Sequence, residues 1–130
     1  MFENIQRGVY LIRSKDGTYW KEYYFRSKWE ANYALYLQWL KDTNKIFEWE
    51  YEPQPYYEFP IKHGSTRYLP DFRITNNDGT FYLVELKGFK QGMVKLKRMA
   101  KYFPKVKIEL VDAKEYRALQ KKVGKMLHFY

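Results

Sequence analysis

The segments Tyr68-Leu69-Pro70-Asp71-Phe72-Arg73-Ile74 and Phe81-Tyr82-Leu83-Val84-Glu85-Leu86-Lys87-Gly88 decide the fold of this chain. Between them lies Asn76-Asn77-Asp78-Gly79, a cluster typical of a turn, so the two segments predict a β-hairpin. The second segment starts with four consecutive apolar residues, as a strand buried on both faces does. We therefore expect this hairpin to form the centre of the molecule.

Ionisable residues stand near the ends of both predicted strands. Side chains alternate between the two faces of a strand, so Glu85 and Lys87 share one face while Leu86 points to the other. Pro70 marks a strand boundary, and pairing across the turn would bring Asp71 close to Glu85. Two carboxylates suit Mg²⁺, and a metal ion beside a lysine is suited to phosphodiester hydrolysis. The pattern predicts such a site here.

Length and composition limit the class of protein. The chain has 130 residues, and we expect one domain, 1–130. It contains no cysteine, which excludes disulfides and thiolate metal sites and fits an intracellular protein. The N-terminus lacks a signal-peptide pattern, and no segment reaches the roughly 18 apolar residues of a membrane span. We therefore expect a protein that is not secreted and does not bind a membrane.

The positive charge is concentrated in the last third of the chain. Residues 1–85 hold 11 Lys+Arg and 12 Asp+Glu, a net of −1, whereas residues 86–130 hold 13 and 3, a net of +10. A field of one sign beside a cleft favours a polyanion such as nucleic acid. A basic face that serves only solubility is the alternative.

The remaining elements follow from the hydrophobic period and from turn residues. A strand that follows a helix after the central hairpin predicts a crossover, which would place a parallel strand beside the Glu85 strand. The predicted elements are an N-terminal hairpin (8–13 and 19–25), a helix from 27 to about 41, strands at 46–52 and 56–61, a helix to about 103, a strand at 106–111, and a helix from 113 to about 127.

Glu30 has two interpretations. Ser27 followed three residues later by Glu30 is a capping box, in which each side chain binds a backbone N–H of the helix start. Alternatively, Glu30 faces Asp71 and Glu85 as a third carboxylate. The spacing alone favours the cap.

The N-terminal hairpin holds more aromatic residues than a small hairpin buries by itself. Packing against the following helix is the simplest explanation. A subunit interface and stacking on nucleic-acid bases are the alternatives.

The pair Pro70-Asp71 followed by Glu85-Leu86-Lys87 resembles the motif of the PD-(D/E)XK nuclease superfamily, whose fold is restriction-endonuclease-like. Together with the segments 25–31 and 52–55, the motif is similar to small phage endonucleases and Holliday junction resolvases of that superfamily. The resemblance extends over about residues 16–112, and transposase endonuclease subunits are similar over a shorter stretch.

This resemblance implies an α/β fold: a restriction-endonuclease-like core with a mixed central β-sheet flanked by helices, preceded here by the N-terminal β-hairpin. It implies that Asp71, Glu85 and the backbone carbonyl of Leu86 bind Mg²⁺, with Mn²⁺ as a possible substitute. Glu30 would be the helix-borne carboxylate of the metal site, and Lys87 would orient or activate the attacking water. The four catalytic residues would thus be Glu30, Asp71, Glu85 and Lys87.

The implied partner is DNA, in the form of four-way junctions, cut by a homodimer with two active sites. An interface formed by the N-terminal hairpin and the first helix is our hypothesis for the dimer. A nuclease that cuts duplex, nicked or flapped DNA, and a nucleic-acid-binding protein without activity, are the alternatives. The candidate residues for phosphate contacts are Lys90, Lys95, Lys97, Arg98, Lys101, Arg117 and Lys121.

Overall fold

The computed structural model of the chain describes residues 7–86 and 90–130, apart from the side chains of residues 90–92. Within that part, no helix is long and apolar enough to cross a membrane. The elements are β1 (Gly8–Arg13), β2 (Trp20–Phe25), α1 (Lys28–Asp42), β3 (Glu48–Tyr51), β4 (Tyr57–Glu58), β5 (Arg67–Tyr68), β6 (Phe72–Thr75), β7 (Phe81–Leu86), α2 (Lys90–Tyr102), β8 (Ile108–Val111) and α3 (Ala113–Val123).

The central sheet is mixed and has the strand order β3-β6-β7-β8. Strand β6 is antiparallel to both β3 and β7, whereas β7 and β8 are parallel. The predicted turn closes the β6–β7 hairpin: the N–H of Gly79 donates to the carbonyl of Asn76 over 3.0 Å, and Gly79 has φ +89°. The central hairpin and the parallel crossover strand are both confirmed, and with them an α/β fold.

The boundary predicted at Pro70 is confirmed, whereas the strand predicted over residues 68–74 is wrong as a single strand. It divides at Pro70, which has no N–H to donate to a ladder. Before the division, Tyr68 pairs with Tyr57 in the two-stranded ribbon β4–β5. After it, the chain enters the central sheet at Phe72. The same segment therefore serves two sheets, and Asp71 lies at the junction.

One face of the central sheet packs against α1, α3 and the N-terminal hairpin; we call it the α1 face. Its core is aromatic: Trp29 stacks on Tyr116 with ring centroids 4.1 Å apart, and the Phe72 ring lies 5.5 Å from that of Tyr33. The buried residues of this core include Ile12, Phe25, Trp29, Ala31, Tyr33, Leu37, Trp49, Phe72, Ile74, Val84, Leu86, Val111 and Tyr116.

The other face packs against α2 and the β4–β5 ribbon; we call it the α2 face. Its buried core is smaller and consists of Phe59, Tyr68, Leu83 and Met99. Register places Glu85 on this face, two residues after Leu83, whereas Leu86 is buried in the core of the α1 face. The predicted alternation of Glu85 and Leu86 is confirmed.

The two faces of the N-terminal hairpin differ. Ile12 and Phe25 are fully buried against the core of the α1 face, which confirms that the hairpin packs against the following helix. Val9, Trp20 and Tyr24 remain exposed. The dimer interface proposed for the hairpin and the first helix stays a prediction.

Candidate functional site

Asp71 and Glu85 lie opposite each other at one end of the central sheet. The β6–β7 ladder ends with the pair Phe72 and Val84, and Asp71 and Glu85 occupy the next position. The Leu86 N–H donates to Oδ2 of Asp71 over 2.8 Å, and the Glu52 N–H donates to the Asp71 carbonyl over 2.8 Å. Backbone groups that adjoin β7 and β3 therefore fix both the side chain and the main chain of Asp71.

Glu85 is held by a tyrosine from outside the central sheet. The hydroxyl of Tyr68 donates to Oε1 of Glu85 over 2.7 Å. Tyr68 is only 2% exposed, so its ring cannot move away without leaving the core. The backbone N–H of Asp71 also favours the charged form of Glu85 and so lowers its pKa. Sequence analysis did not single out Tyr68, because one tyrosine among 14 carries no sign that it reaches a particular carboxylate.

Glu30 acts as a helix cap and also lies near the other two acids. Ser27 Oγ accepts from the Glu30 N–H over 3.1 Å, while Glu30 Oε1 accepts from the Arg26 N–H over 3.0 Å. The cap is thus confirmed, with Arg26 rather than Ser27 as the returning donor. Glu30 Oε1 also accepts from the Tyr51 hydroxyl over 2.9 Å. The negative charge of Glu30 also acts on Asp71.

The acids destabilise one another's charge. Burial raises the pKa of Asp71 well above its usual value, and the negative charges of Glu85 and Glu30 raise it further. Burial also raises the pKa of Glu85, although the hydrogen bond from Tyr68 and the nearby Asp71 N–H favour the carboxylate. A cation bound between Asp71 and Glu85 would relieve this repulsion.

Glu52 is a fourth acid near Asp71, and sequence analysis did not assign it to the site. Its backbone has φ +45°, a left-handed conformation that is rare for residues other than glycine and clusters at functional sites. Its carboxylate pairs with Arg26, with 3.0 Å between Nε and Oε2, and its charge also raises the pKa of Asp71. The sequence signals only a strand that ends at Pro53; it does not signal the bend.

The cation that acts on Glu85 in the described part of the chain is Lys95 of α2. Its positive charge lowers the pKa of Glu85. Lys87, predicted to orient the attacking water, lies outside the described residues, and its role stays a prediction. Lys95 was expected to contact DNA, and its place beside a carboxylate adds a local electrostatic effect.

The other candidate phosphate contacts are divided between the two faces of the sheet. Lys97 and Lys101 are exposed on α2, on the same face as Glu85. Arg117 and Lys121 are exposed on α3, which packs on the α1 face. Arg98 instead donates to the carbonyl of Ser65 and holds the loop of the β4–β5 ribbon. The side chain of Lys90 is not among those that the structure describes.

The acids fit a magnesium ion in type and number. Within residues 7–86 and 90–130, no group of three or more His, Asp or Glu is arranged to hold a metal ion. Mg²⁺ needs no such group, because proteins usually bind it through one or two carboxylates, with waters and substrate phosphate as further ligands. Asp71 and Glu85 supply two carboxylates. Metal binding by Asp71, Glu85, Glu30 and the Leu86 carbonyl stays a prediction.

A protein-family model described as "Protein of unknown function (DUF1064)" matches residues 13–125. The chain belongs to the DUF1064 family. No curated protein and no solved structure matches it significantly. The DUF1064 segment contains Glu30, Glu52, Asp71 and Glu85, as well as Tyr51 and Tyr68, so the whole candidate site lies within the region that defines the family.

Proposed function

We propose that this chain is a metal-dependent DNA endonuclease of the PD-(D/E)XK type that cuts branched DNA, with the four-way Holliday junction as its substrate. The observation that carries the proposal is that Asp71 lies opposite Glu85 at the end of the β6–β7 ladder, where burial and mutual repulsion favour a bound cation. An acidic pair beside basic helices has little use in a protein that only binds a polyanion.

The order of elements supports a restriction-endonuclease-like core. Helix α1 precedes three antiparallel strands, β3, β6 and β7, and α2 then leads to the parallel strand β8. This is the order that the motif resemblance implies, with Asp71 at the start of the second core strand and Glu85 near the end of the third.

In this proposal Asp71 and Glu85 hold Mg²⁺ through their carboxylate oxygens, with Glu30 and the Leu86 carbonyl beside them. When bound, Mg²⁺ polarises the scissile phosphoryl group and lowers the pKa of an attacking water. The chain positions the acids: the Leu86 N–H orients Asp71, and the Tyr68 hydroxyl orients Glu85. Lys87 orients the attacking water and stabilises the charge that develops on the phosphate.

The DNA backbone lies along the α2 face in this proposal, because Glu85, Lys97 and Lys101 share that face. Phosphate contacts of this kind position the substrate and carry no base specificity. Two symmetric cuts in a junction require two active sites, so the acting form is a homodimer. The exposed outer face of the hairpin, with Trp20 and Tyr24, is its proposed interface.

The test is cleavage of a labelled four-way junction and of the matching linear duplex, each with Mg²⁺ or with EDTA. Wild type is compared with Glu85→Gln, which keeps the size of the side chain. Glu109→Gln is the matched control, because Glu109 is exposed on the neighbouring strand. We expect junction cutting that requires Mg²⁺ and falls by about 10² or more in Glu85→Gln, in line with the loss of a transition-state charge interaction.

Equal cutting of both substrates would retain the nuclease and remove junction selectivity. Tight binding of DNA without cutting under Mg²⁺ or Mn²⁺ would identify a binding protein without activity. Normal cutting by Glu85→Gln would show that the site lies elsewhere.

A further inference from the structure

The β4–β5 ribbon carries a residue that acts on the candidate site without belonging to the central sheet. Tyr68 ends β5, which pairs with β4 alone, and its hydroxyl reaches Glu85 Oε1 over 2.7 Å. The ring is packed in the core of the α2 face with Leu83 and Met99. Tyr68 thus joins the packing of a separate ribbon to the orientation of one carboxylate.

The ribbon is itself fixed to α2. Arg98 donates to the carbonyl of Ser65 in the loop between β4 and β5. Gly64, next to Ser65, has φ +79°, and a Cβ there would lie 3.2 Å from an Arg98 guanidinium nitrogen. Arg98 and the core ring of Phe59 therefore hold the ribbon at both its loop and its strands.

Glu85 needs such a restraint. It lies beside Asp71 and within the field of Glu30, and both charges favour its rotation toward solvent. A glutamate side chain also has three rotatable bonds, so a fixed orientation has an entropic cost. The Tyr68 hydroxyl, 2.7 Å from Glu85 Oε1, supplies this restraint as a hydrogen-bond donor.

The same arrangement occurs at Glu30. The hydroxyl of Tyr51 donates to Glu30 Oε1 over 2.9 Å, and its ring packs on Phe25 and Phe72 in the core of the α1 face. Glu85 and Glu30 therefore each accept from a phenol whose ring is fixed in a core, one core on each face of the sheet.

We infer that Tyr68 is a positioning residue, which holds the Glu85 carboxylate in the orientation that binds a divalent cation. The inference rests on the proposed function, because it requires Glu85 to be a metal ligand. Groups that orient a metal ligand typically change metal affinity by 10–100-fold when they are removed.

The experiment measures the affinity of the protein for Mn²⁺ alone, from the electron paramagnetic resonance signal of free Mn²⁺. The variant is Tyr68→Phe, which keeps the buried ring and removes only the donor. Tyr116→Phe is the matched control: Tyr116 is equally buried, but its hydroxyl accepts from the Asn32 amide over 2.9 Å, so its partner is not a carboxylate. Thermal unfolding in EDTA checks that each variant is folded.

We expect about 10–100-fold weaker Mn²⁺ binding in Tyr68→Phe and wild-type affinity in Tyr116→Phe. Cleavage by Tyr68→Phe should be restored by higher Mn²⁺ concentration, which a general loss of structure would not allow. Wild-type Mn²⁺ affinity in Tyr68→Phe, alongside weakened binding in Glu85→Gln, would overturn the inference and leave the proposed function intact. Unchanged affinity in Glu85→Gln would overturn both.

A double-mutant cycle gives a second measurement. If Tyr68 acts through Glu85, adding Tyr68→Phe to Glu85→Gln should cause little further loss of Mn²⁺ affinity. Fully additive losses would show that Tyr68 acts by another route and would overturn the inference.

Discussion

The two faces of the central sheet differ in what their side chains do. The α1 face is packed with aromatic rings, and its buried polar groups are paired with one another: the indole N–H of Trp49 donates to Gln38 over 2.8 Å. The α2 face has a smaller core and bears Glu85 beside Asp71, whose charges repel. Packing therefore concentrates stability on the α1 face, whereas the repulsion between Asp71 and Glu85 reduces it at the end of the β6–β7 ladder.

The largest expected effect on stability is on the α1 face. Phe25 is fully buried among the rings of Tyr10, Tyr23 and Tyr51. Phe25→Ala should lower the free energy of unfolding by about 3–5 kcal/mol, since it leaves a cavity. Urea unfolding followed by circular dichroism measures the loss.

Tyr24→Ala is the matched control for that variant, because Tyr24 is the preceding residue and is 57% exposed. Its loss should be within about 1 kcal/mol. Equal losses at the two positions would show that the hairpin is not held by its buried face.

A smaller effect of opposite sign on the free energy of unfolding is expected where Asp71 lies opposite Glu85. Glu85→Gln removes one of the charges that repel Asp71 and keeps an acceptor for Tyr68. In EDTA, its free energy of unfolding should exceed that of wild type by about 0.5–2 kcal/mol, the usual gain when a single substitution removes a destabilising interaction. Urea unfolding with Glu109→Gln as control tests this. A loss as large as that of Phe25→Ala would make Glu85 a structural residue.

The smallest expected effect separates the cations of the two faces. Replacing Lys97 and Lys101 with Gln should weaken DNA binding and reduce the slope of log affinity against log salt by about two, one for each lost phosphate contact. Replacing Lys121 and Lys122 on α3 changes the charge equally on the other face. Fluorescence anisotropy over a salt series measures both slopes. A larger change from the α3 pair would place the DNA on the α1 face.

Sequence reasoning predicted the parts of this fold that depend on local pattern. The turn around Gly79, the apolar run of β7 and the crossover to β8 each follow from residues close together in the chain. It placed Asp71 opposite Glu85 for the same reason. It took Pro70 as a strand boundary but kept residues 68–74 as one side of the central hairpin, because only tertiary packing shows that β5 pairs with β4 in a separate sheet.

The rest of the site depends on contacts between distant elements. Nothing in the sequence signals that Tyr68 reaches Glu85, that Arg98 holds Ser65, or that Glu52 adopts a positive φ. The helical period showed which side of α2 and α3 is apolar, but not that the two helices pack on opposite faces. The basic third of the chain therefore looked like one surface.

The hydrogen bond from the Leu86 N–H to Asp71 makes one amide proton a reporter for the site. A bonded amide exchanges with solvent deuterium only when its bond opens, so exchange at Leu86 records how often the Asp71 carboxylate turns away. The signal needs neither metal nor DNA. In nuclear magnetic resonance spectra of the free protein, the exchange rate of this single amide would show whether the Asp71 carboxylate is already ordered before any ligand binds.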